Sequence, residues 1–215
     1  MTGFDPRLYL VTDSGLSGRR PLEEVVAAAV RGGVTAVQLR EKEASTREYI
    51  RLARRLKDVL AGFGVPLIIN DRVDVALAAG AAGVHLGQSD MRYDDARRLL
   101  GPNRIIGVSV EKTEQAREAD SWDVAYIAAS PVFPTPTKKD AGPAWGLEGL
   151  RRLRSASRHK VVAIGGVNEA NAADVMSAGA DGIAVVSAVM AAEDPETAAR
   201  RLREIIDRTG RGGGG

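Results

Sequence analysis

The sequence contains no cysteine. Disulfides and thiolate metal sites are therefore excluded, a composition that fits the reducing cytosol and a cytoplasmic protein. Long hydrophobic runs are missing too. No apolar stretch approaches the about 20 residues of a membrane span, and Met1 to Asp5 lacks a signal-peptide core, so neither a membrane nor export is expected. Charge of one sign is lacking: 30 Lys and Arg stand against 28 Asp and Glu, a net +2, which does not call for nucleic acid. Finally, no G-x-G-x-x-G follows the first apolar run, which weighs against a dinucleotide-binding open sheet.

What is present is one core's worth of apolar residues, 44% of 215. The length predicts a single domain over residues 1–209, with the terminal GRGGGG (Gly210 to Gly215) as a flexible tail outside the fold. Eight apolar, strand-like runs alternate with amphipathic stretches: Arg7 to Asp13, Thr35 to Glu41, Pro66 to Asp71, Gly83 to Gln88, Arg104 to Val110, Val124 to Ser130, Lys160 to Gly166 and Asp181 to Ser187. Pro21 and Pro195 mark helix starts, Ser45 and Asn168 are candidate N-caps, and Gly32, Gly80, Gly101 and Gly179 are candidate stops. Near-continuous apolar strands linked by helices indicate a parallel sheet covered on its faces. Eight such units close on themselves, so the fold class is α/β and the architecture a (β/α)₈ barrel; a doubly wound open sheet is the alternative.

In a barrel, chemistry sits at the carboxyl ends of the strands. Those ends are polar here, with Asp13, Gln38, Arg40, Lys42, Asn70, Asp71, His85, Gln88, Asp90 and Ser109, whereas the opposite ends are mostly Gly, Ala and Val. Gln38, Arg40 and Lys42 alternate, so period two places them on one face and leaves Glu41 on the other. An Arg fork and a Lys ammonium on one face suit an anion. A salt-bridged strand end involving Glu41 or Glu43 is the competing use of the same residues. Asp71 and Asp90 leave adjacent strands, and two carboxylates facing cations suit Mg²⁺ bridging to phosphate oxygens. Either could instead cap a helix.

The stretch Ser130–Asp140, SPVFPTPTKKD, holds three prolines that forbid helix and mid-sheet strand. It is a stiff loop at a strand's end that carries Thr135, Thr137, Lys138 and Lys139, suited either to a phosphate or to plain solvation. Gly165–Gly166 and Val186–Ser187 close strands seven and eight, where barrels repeatedly bind phosphate with bare backbone N–H groups; tight turns are the plainer account. His85 on an apolar strand is more often packed than reactive. Trp122 and Trp145 read as packing or lid residues, and the charge-rich REYIRLARRLKD as a solvated face.

Taken together, YLVTD, VQLREK, INDRVDVALAAGAAGVHLGQSD, IIGVSV, PVFPTPTKKDAG, AIGGV and VVSAV, in this order between about Tyr9 and Met190, resemble the thiamine phosphate synthase family. The resemblance implies a (β/α)₈ barrel that joins an aminopyrimidine diphosphate to a thiazole phosphate and releases diphosphate. By the same resemblance Gln38, Leu39, Arg40, Glu41, Lys42, Asn70, Ser109 and Lys138 would contact the pyrimidine diphosphate, with Arg40, Lys42, Lys138 and Ser109 carrying the catalysis. Asp71 and Asp90 would hold Mg²⁺. Thr135, Pro136, Thr137, Gly166, Val186 and Ser187 would hold the thiazole phosphate. Small-molecule substrates, no nucleic acid, no membrane and compatibility with a homo-oligomer complete the expectation. One position departs from the family pattern: Ser130 stands where Gly usually precedes the Pro of PVFPT, adding a hydroxymethyl group at the pocket. A related thiazole tautomerase shares the fold but needs neither the paired aspartates nor the TKK lysine, and a non-catalytic phosphometabolite-binding barrel is the third reading.

Overall fold

Each of the eight apolar runs forms a strand, and the strands hydrogen-bond in chain order into a closed parallel barrel: β1 (Leu8–Val11), β2 (Ala36–Leu39), β3 (Leu67–Asn70), β4 (Gly83–Leu86), β5 (Ile105–Val110), β6 (Tyr126–Ala129), β7 (Val161–Ile164) and β8 (Gly182–Val185). Closure is made by β1, which pairs with β2 on one side and β8 on the other. The computed structural model describes residues 4–135 and 142–211. The helices are α1 (Leu22–Arg31), α2 (Thr46–Ala61), α3 (Val73–Ala79), α4 (Tyr93–Leu100), α5 (Thr113–Ala119), α6 (Gly146–Ala156), α7 (Ala172–Ser177), the short α8 (Ser187–Met190) and α9 (Pro195–Arg211). Among the described residues, no helix is long and apolar enough to cross a membrane.

Strand side chains alternate between two cores, as a period of two requires. Leu8, Leu10, Val37, Leu39, Ile69, Val84, Ile106, Val108, Ile127 and Ile183 point outward and pack beneath the helices. Tyr9, Val11, Ala36, Ile68, Tyr126, Ala128, Val162 and Ala184 point inward and, with Phe4, fill the barrel. The interior is tight enough to dictate a glycine. A Cβ on Gly107 would lie 2.1 Å from Tyr126 Cζ, so β5 admits the large ring opposite only because it carries no side chain there.

The helices follow their sequence signals with three local differences. Ser45 caps α2 in a full capping box with Glu48, and Tyr49, Ala53, Leu56 and Leu60 form the buried stripe of that otherwise charged helix. Asn168 does not cap α7. It opens a tight turn whose carbonyl accepts from Asn171 and Ala172, and the helix starts four residues later at Ala172. The chain after β8 bends at once into α8, which no periodicity could separate from the apolar AVVSAVM. At the far end α9 continues through Gly210 to Arg211, so the helix reaches two residues into the GRGGGG stretch.

Candidate active site

At the carboxyl ends of the strands lies a cavity of about 580 Å³. Gln38, Arg40, Lys42, Asn70, Asp71, His85, Gln88, Asp90, Ser109, Thr135, Gly166, Val186 and Ser187 all line it, so residues scattered over 150 positions of sequence meet at one mouth. Two predicted contacts stand elsewhere. Leu39 is fully buried beneath the helices. Glu41, two residues past the end of β2, turns away: Ser14 Oγ donates to its Oε2 at 3.1 Å, and burial pushes its carboxyl pKa up. Pro136, Thr137 and Lys138, with Lys139, fall outside the described residues.

The mouth is built by specific ties. Tyr49, buried on α2, donates its hydroxyl to the Leu39 carbonyl at 2.7 Å and reaches the Asn70 carbonyl at 3.3 Å, clamping the ends of β2 and β3. This fixes the backbone from which Arg40, Asn70 and Asp71 project. Thr12, at the end of β1, accepts the Arg40 N–H at 3.1 Å. Asp13 instead caps a short 3₁₀ turn, Ser14–Leu16.

Asp71 is the only non-glycine residue in the left-handed region among those described, with φ of 62°. Aspartate tolerates that region better than most residues, and such strain concentrates at functional positions. It does not cap α3, whose cap position is Arg72. Its N–H instead donates to the His85 carbonyl at 2.8 Å, tying β3 to β4. Asp90 accepts the Gly87 N–H at 2.6 Å through Oδ2, which holds its carboxylate over the β4 exit. Burial and the facing Asp90 carboxyl raise the Asp71 pKa to about 7, against the opposing pull of Lys42 and the Asn70 amide. The pair is thus a hard-oxygen site that repels itself.

On the opposite wall, Gly165 and Gly166 have φ of 97° and 66°. A Cβ on Gly166 would come within 2.8 Å of Phe133 Cβ, because the loop after β6 lies directly on this turn. Val132 and Phe133 N–H groups donate to the Ile164 and Gly165 carbonyls at 2.7 and 3.0 Å. Two carboxamides, Asn171 at 2.9 Å and Asn168 at 3.2 Å, donate to the Gly166 carbonyl. Since the peptide is planar and trans, fixing that carbonyl turns the Val167 N–H the other way. Gly166, Val167 and the start of α8 all line the cavity, an arrangement suited to phosphate oxygens. Trp145 and Trp122 are packing residues: the Trp145 indole donates to Val110 at 3.2 Å, and Trp122 stacks on Tyr93 at 5.0 Å.

Residues 8–189 match the model of a family described as thiamine monophosphate synthase. The chain belongs to the thiamine monophosphate synthase family. A thiamine-phosphate synthase of Albidiferax ferrireducens is 59% identical over 201 residues, 94% of this chain and 92% of that protein. One from Syntrophomonas wolfei is 52% identical over 208 residues, covering 97% and 100%. The solved thiamine phosphate pyrophosphorylase of Pyrococcus furiosus superposes with a TM-score of 0.87 at 42% identity, covering 96% of this chain and 98% of that one. Family membership accounts for the barrel and for the gathering of the motif residues at one end.

Several lining residues were not expected at the site; Thr12, Glu111 and Val167 are among them, and two others are aromatic. Tyr9 and Tyr126 sit on the cavity floor, each in an apolar run where an aromatic reads as core. Their period-two alignment with Val11 and Ala128 was the available signal. His85 is both buried and placed at the cavity, with ring nitrogens 2.9 Å from Tyr126 Oη and 2.9 Å from Ser109 Oγ.

Proposed function

We propose that this protein condenses 4-amino-2-methyl-5-(diphosphomethyl)pyrimidine with 4-methyl-5-(2-phosphoethyl)thiazole, giving thiamine phosphate and diphosphate. The observation that carries the proposal is the pairing of two anion-accepting walls in one cavity of a chain from this family. Arg40 and Lys42 stand beside Asp71 and Asp90 on one wall, and the Gly166 and Val186–Ser187 backbone stands on the other. Such a cavity suits small-molecule substrates. A cytoplasmic location is part of the same reading, supported by the cysteine-free sequence.

The donor set fits Mg²⁺. Asp71 and Asp90 offer only carboxylate oxygens, and a cation relieves the repulsion that raises the Asp71 pKa. Among the described residues no cluster of three or more His, Asp or Glu side chains gathers, so two carboxylates leave coordination positions for substrate phosphates, the usual Mg²⁺ arrangement. When bound, the ion supplies positive charge against the leaving diphosphate.

Arg40 and Lys42 bind that diphosphate, the Arg by its planar fork and the Lys as a point charge. Asn70 and Ser109 add neutral donors, and Lys138, outside the described residues, acts on the same group, while Thr137, also outside them, belongs with the thiazole phosphate. The bond from the pyrimidine methylene to the diphosphate oxygen breaks with its electron pair leaving on oxygen. The electron-rich pyrimidine bears the resulting cation, and the thiazole nitrogen lone pair forms the new C–N bond. Thr135, Pro136, Gly166, Val186 and Ser187 hold the thiazole phosphate so that this nitrogen faces the methylene. No covalent enzyme intermediate is needed. Catalysis is positioning plus electrostatic stabilisation of the departing anion.

The test is incubation with both substrates and Mg²⁺, following both products. Thiamine phosphate and diphosphate appearing in equal amounts is the expected result. Isomerisation of a thiazole phosphate with no diphosphate released would assign the protein to tautomerase chemistry instead. Tight thiazole phosphate binding without turnover of any kind would leave a binding barrel.

A further inference from the structure

Five side chains from five strands form one hydrogen-bonded chain across the barrel floor. Gln38 Nε2 donates to Tyr9 Oη at 3.0 Å, and Tyr9 Oη lies 2.9 Å from Tyr126 Oη. Tyr126 Oη lies 2.9 Å from His85 Nδ1, and His85 Nε2 lies 2.9 Å from Ser109 Oγ. None of the five is more than 9% exposed. The Tyr126 ring is held in place by stacking between Phe4 at 4.8 Å and His85 at 5.6 Å, and Gly107 leaves it room.

With the imidazole carrying one proton, a chain in which each group gives one hydrogen to the next has two senses. Burial raises the pKa of both phenols, so both keep their hydrogens. With Gln38 donating to Tyr9, the Tyr9 hydrogen goes to Tyr126 and the Tyr126 hydrogen to His85 Nδ1. His85 then carries its proton on Nε2 and donates to Ser109 Oγ. The Ser109 hydrogen is released from the chain and is free to point into the cavity that Ser109 lines. In the reverse sense Ser109 spends its only hydrogen on His85 and turns lone pairs toward the cavity. Facing an anion bound by Arg40 and Lys42, those lone pairs repel.

We infer that Tyr9, Tyr126 and His85 are positioning residues that fix the sense of this chain and so hold Ser109 as a hydrogen-bond donor to the diphosphate group. The inference rests on the proposed function, which supplies the anion. It assigns no chemistry to the phenols: they act through Ser109 alone.

The decisive experiment is a double-mutant cycle on the affinity of the full chain for inorganic diphosphate with Mg²⁺, measured by calorimetry. Tyr126→Phe keeps the ring and removes two links of the chain. It should weaken binding about tenfold, the size of one lost hydrogen bond to a charged group. Ser109→Ala should weaken binding at least as much, and adding Tyr126→Phe to it should change nothing further. Two losses that multiply, or no loss in Tyr126→Phe, overturn the inference. A second measurement does not depend on the variant's folding. Nitrogen-15 NMR of histidine-labelled wild type, with His85→Asn to assign the signals, should place the His85 proton on Nε2 in the diphosphate complex. A proton on Nδ1 overturns the inference. If the wild type neither binds diphosphate nor turns over, the synthase reading fails first; a binding wild type with a multiplicative cycle sinks the positioning chain alone.

Discussion

Raising the pH should weaken the metal-free fold at Asp71 and strengthen its hold on Mg²⁺. The Asp71 carboxyl is partly buried against Asp90, and its pKa stands at about 7 against an ordinary 3.8. The folded state therefore keeps this proton where the unfolded chain has lost it. Stability from this group is fully present below pH 3.8, declines as pH rises, and is gone above about 7. Such a shift corresponds to about 4 kcal/mol for a fully buried group, and solvent access to this one reduces it to about 1–2 kcal/mol. Asp5, Glu23 and Asp74, whose arginine partners hold their pKa values down, slope the other way, losing their contribution as pH falls through their lowered values. The informative quantity is thus a difference: urea denaturation of wild type and Asp71→Asn in EDTA, from about pH 4 to about pH 8. The wild type should lose about 1–2 kcal/mol relative to the variant across that range. Mg²⁺ binding must displace the same proton, so apparent affinity should rise about tenfold between about pH 6 and about pH 8, with proton release seen by calorimetry in two buffers. A flat difference curve together with pH-independent Mg²⁺ affinity would refute the like-charge account of this pair.

Three further outcomes follow from single contacts. Arg40→Lys keeps the charge but loses the fork, so kcat/KM with the diphosphate substrate should fall about 10- to 100-fold while the KM for the thiazole phosphate holds, as steady-state kinetics will show. Gly107→Ala drives a methyl into the Tyr126 ring and should cost about 1–3 kcal/mol or more in denaturant unfolding; a neutral result would mean that β5 and Tyr126 are not so closely packed. Ser45→Ala removes the hydroxyl that caps α2 while leaving the backbone N–H bond to Glu48, and should lower unfolding free energy by about 1 kcal/mol, with an unchanged denaturant midpoint counting against it.

The architecture was legible because each apolar run is a strand whose two faces are both buried, one by the barrel interior and one by helices. The site was legible where an element's period alone aims a side chain. Gln38 on β2, and Arg40 and Lys42 just past its end, keep the alternation and reach the cavity, and Glu41 does not. Asp71 and Asp90 converge because β3 and β4 are neighbours. What could not be read is set by tertiary packing. The left-handed backbone of Asp71 depends on the bond from its N–H to the His85 carbonyl across the strand pair. Tyr9 and Tyr126 became site residues only when barrel closure set β1 and β6 facing across the interior. The Asn168 turn and α8 were hidden for a different reason: short polar or apolar stretches carry too few residues to show a helical period.

The central claim is that paired aspartates and the Arg40–Lys42 face act together on a departing diphosphate. The direct measurement is product formation from both thiamine precursors as Mg²⁺ is titrated, for wild type and Asp71→Ala. Thiamine phosphate that rises with Mg²⁺, vanishes with EDTA and falls at least about 100-fold in the variant is the predicted result. Full turnover in EDTA, or a variant as fast as wild type, would contradict it.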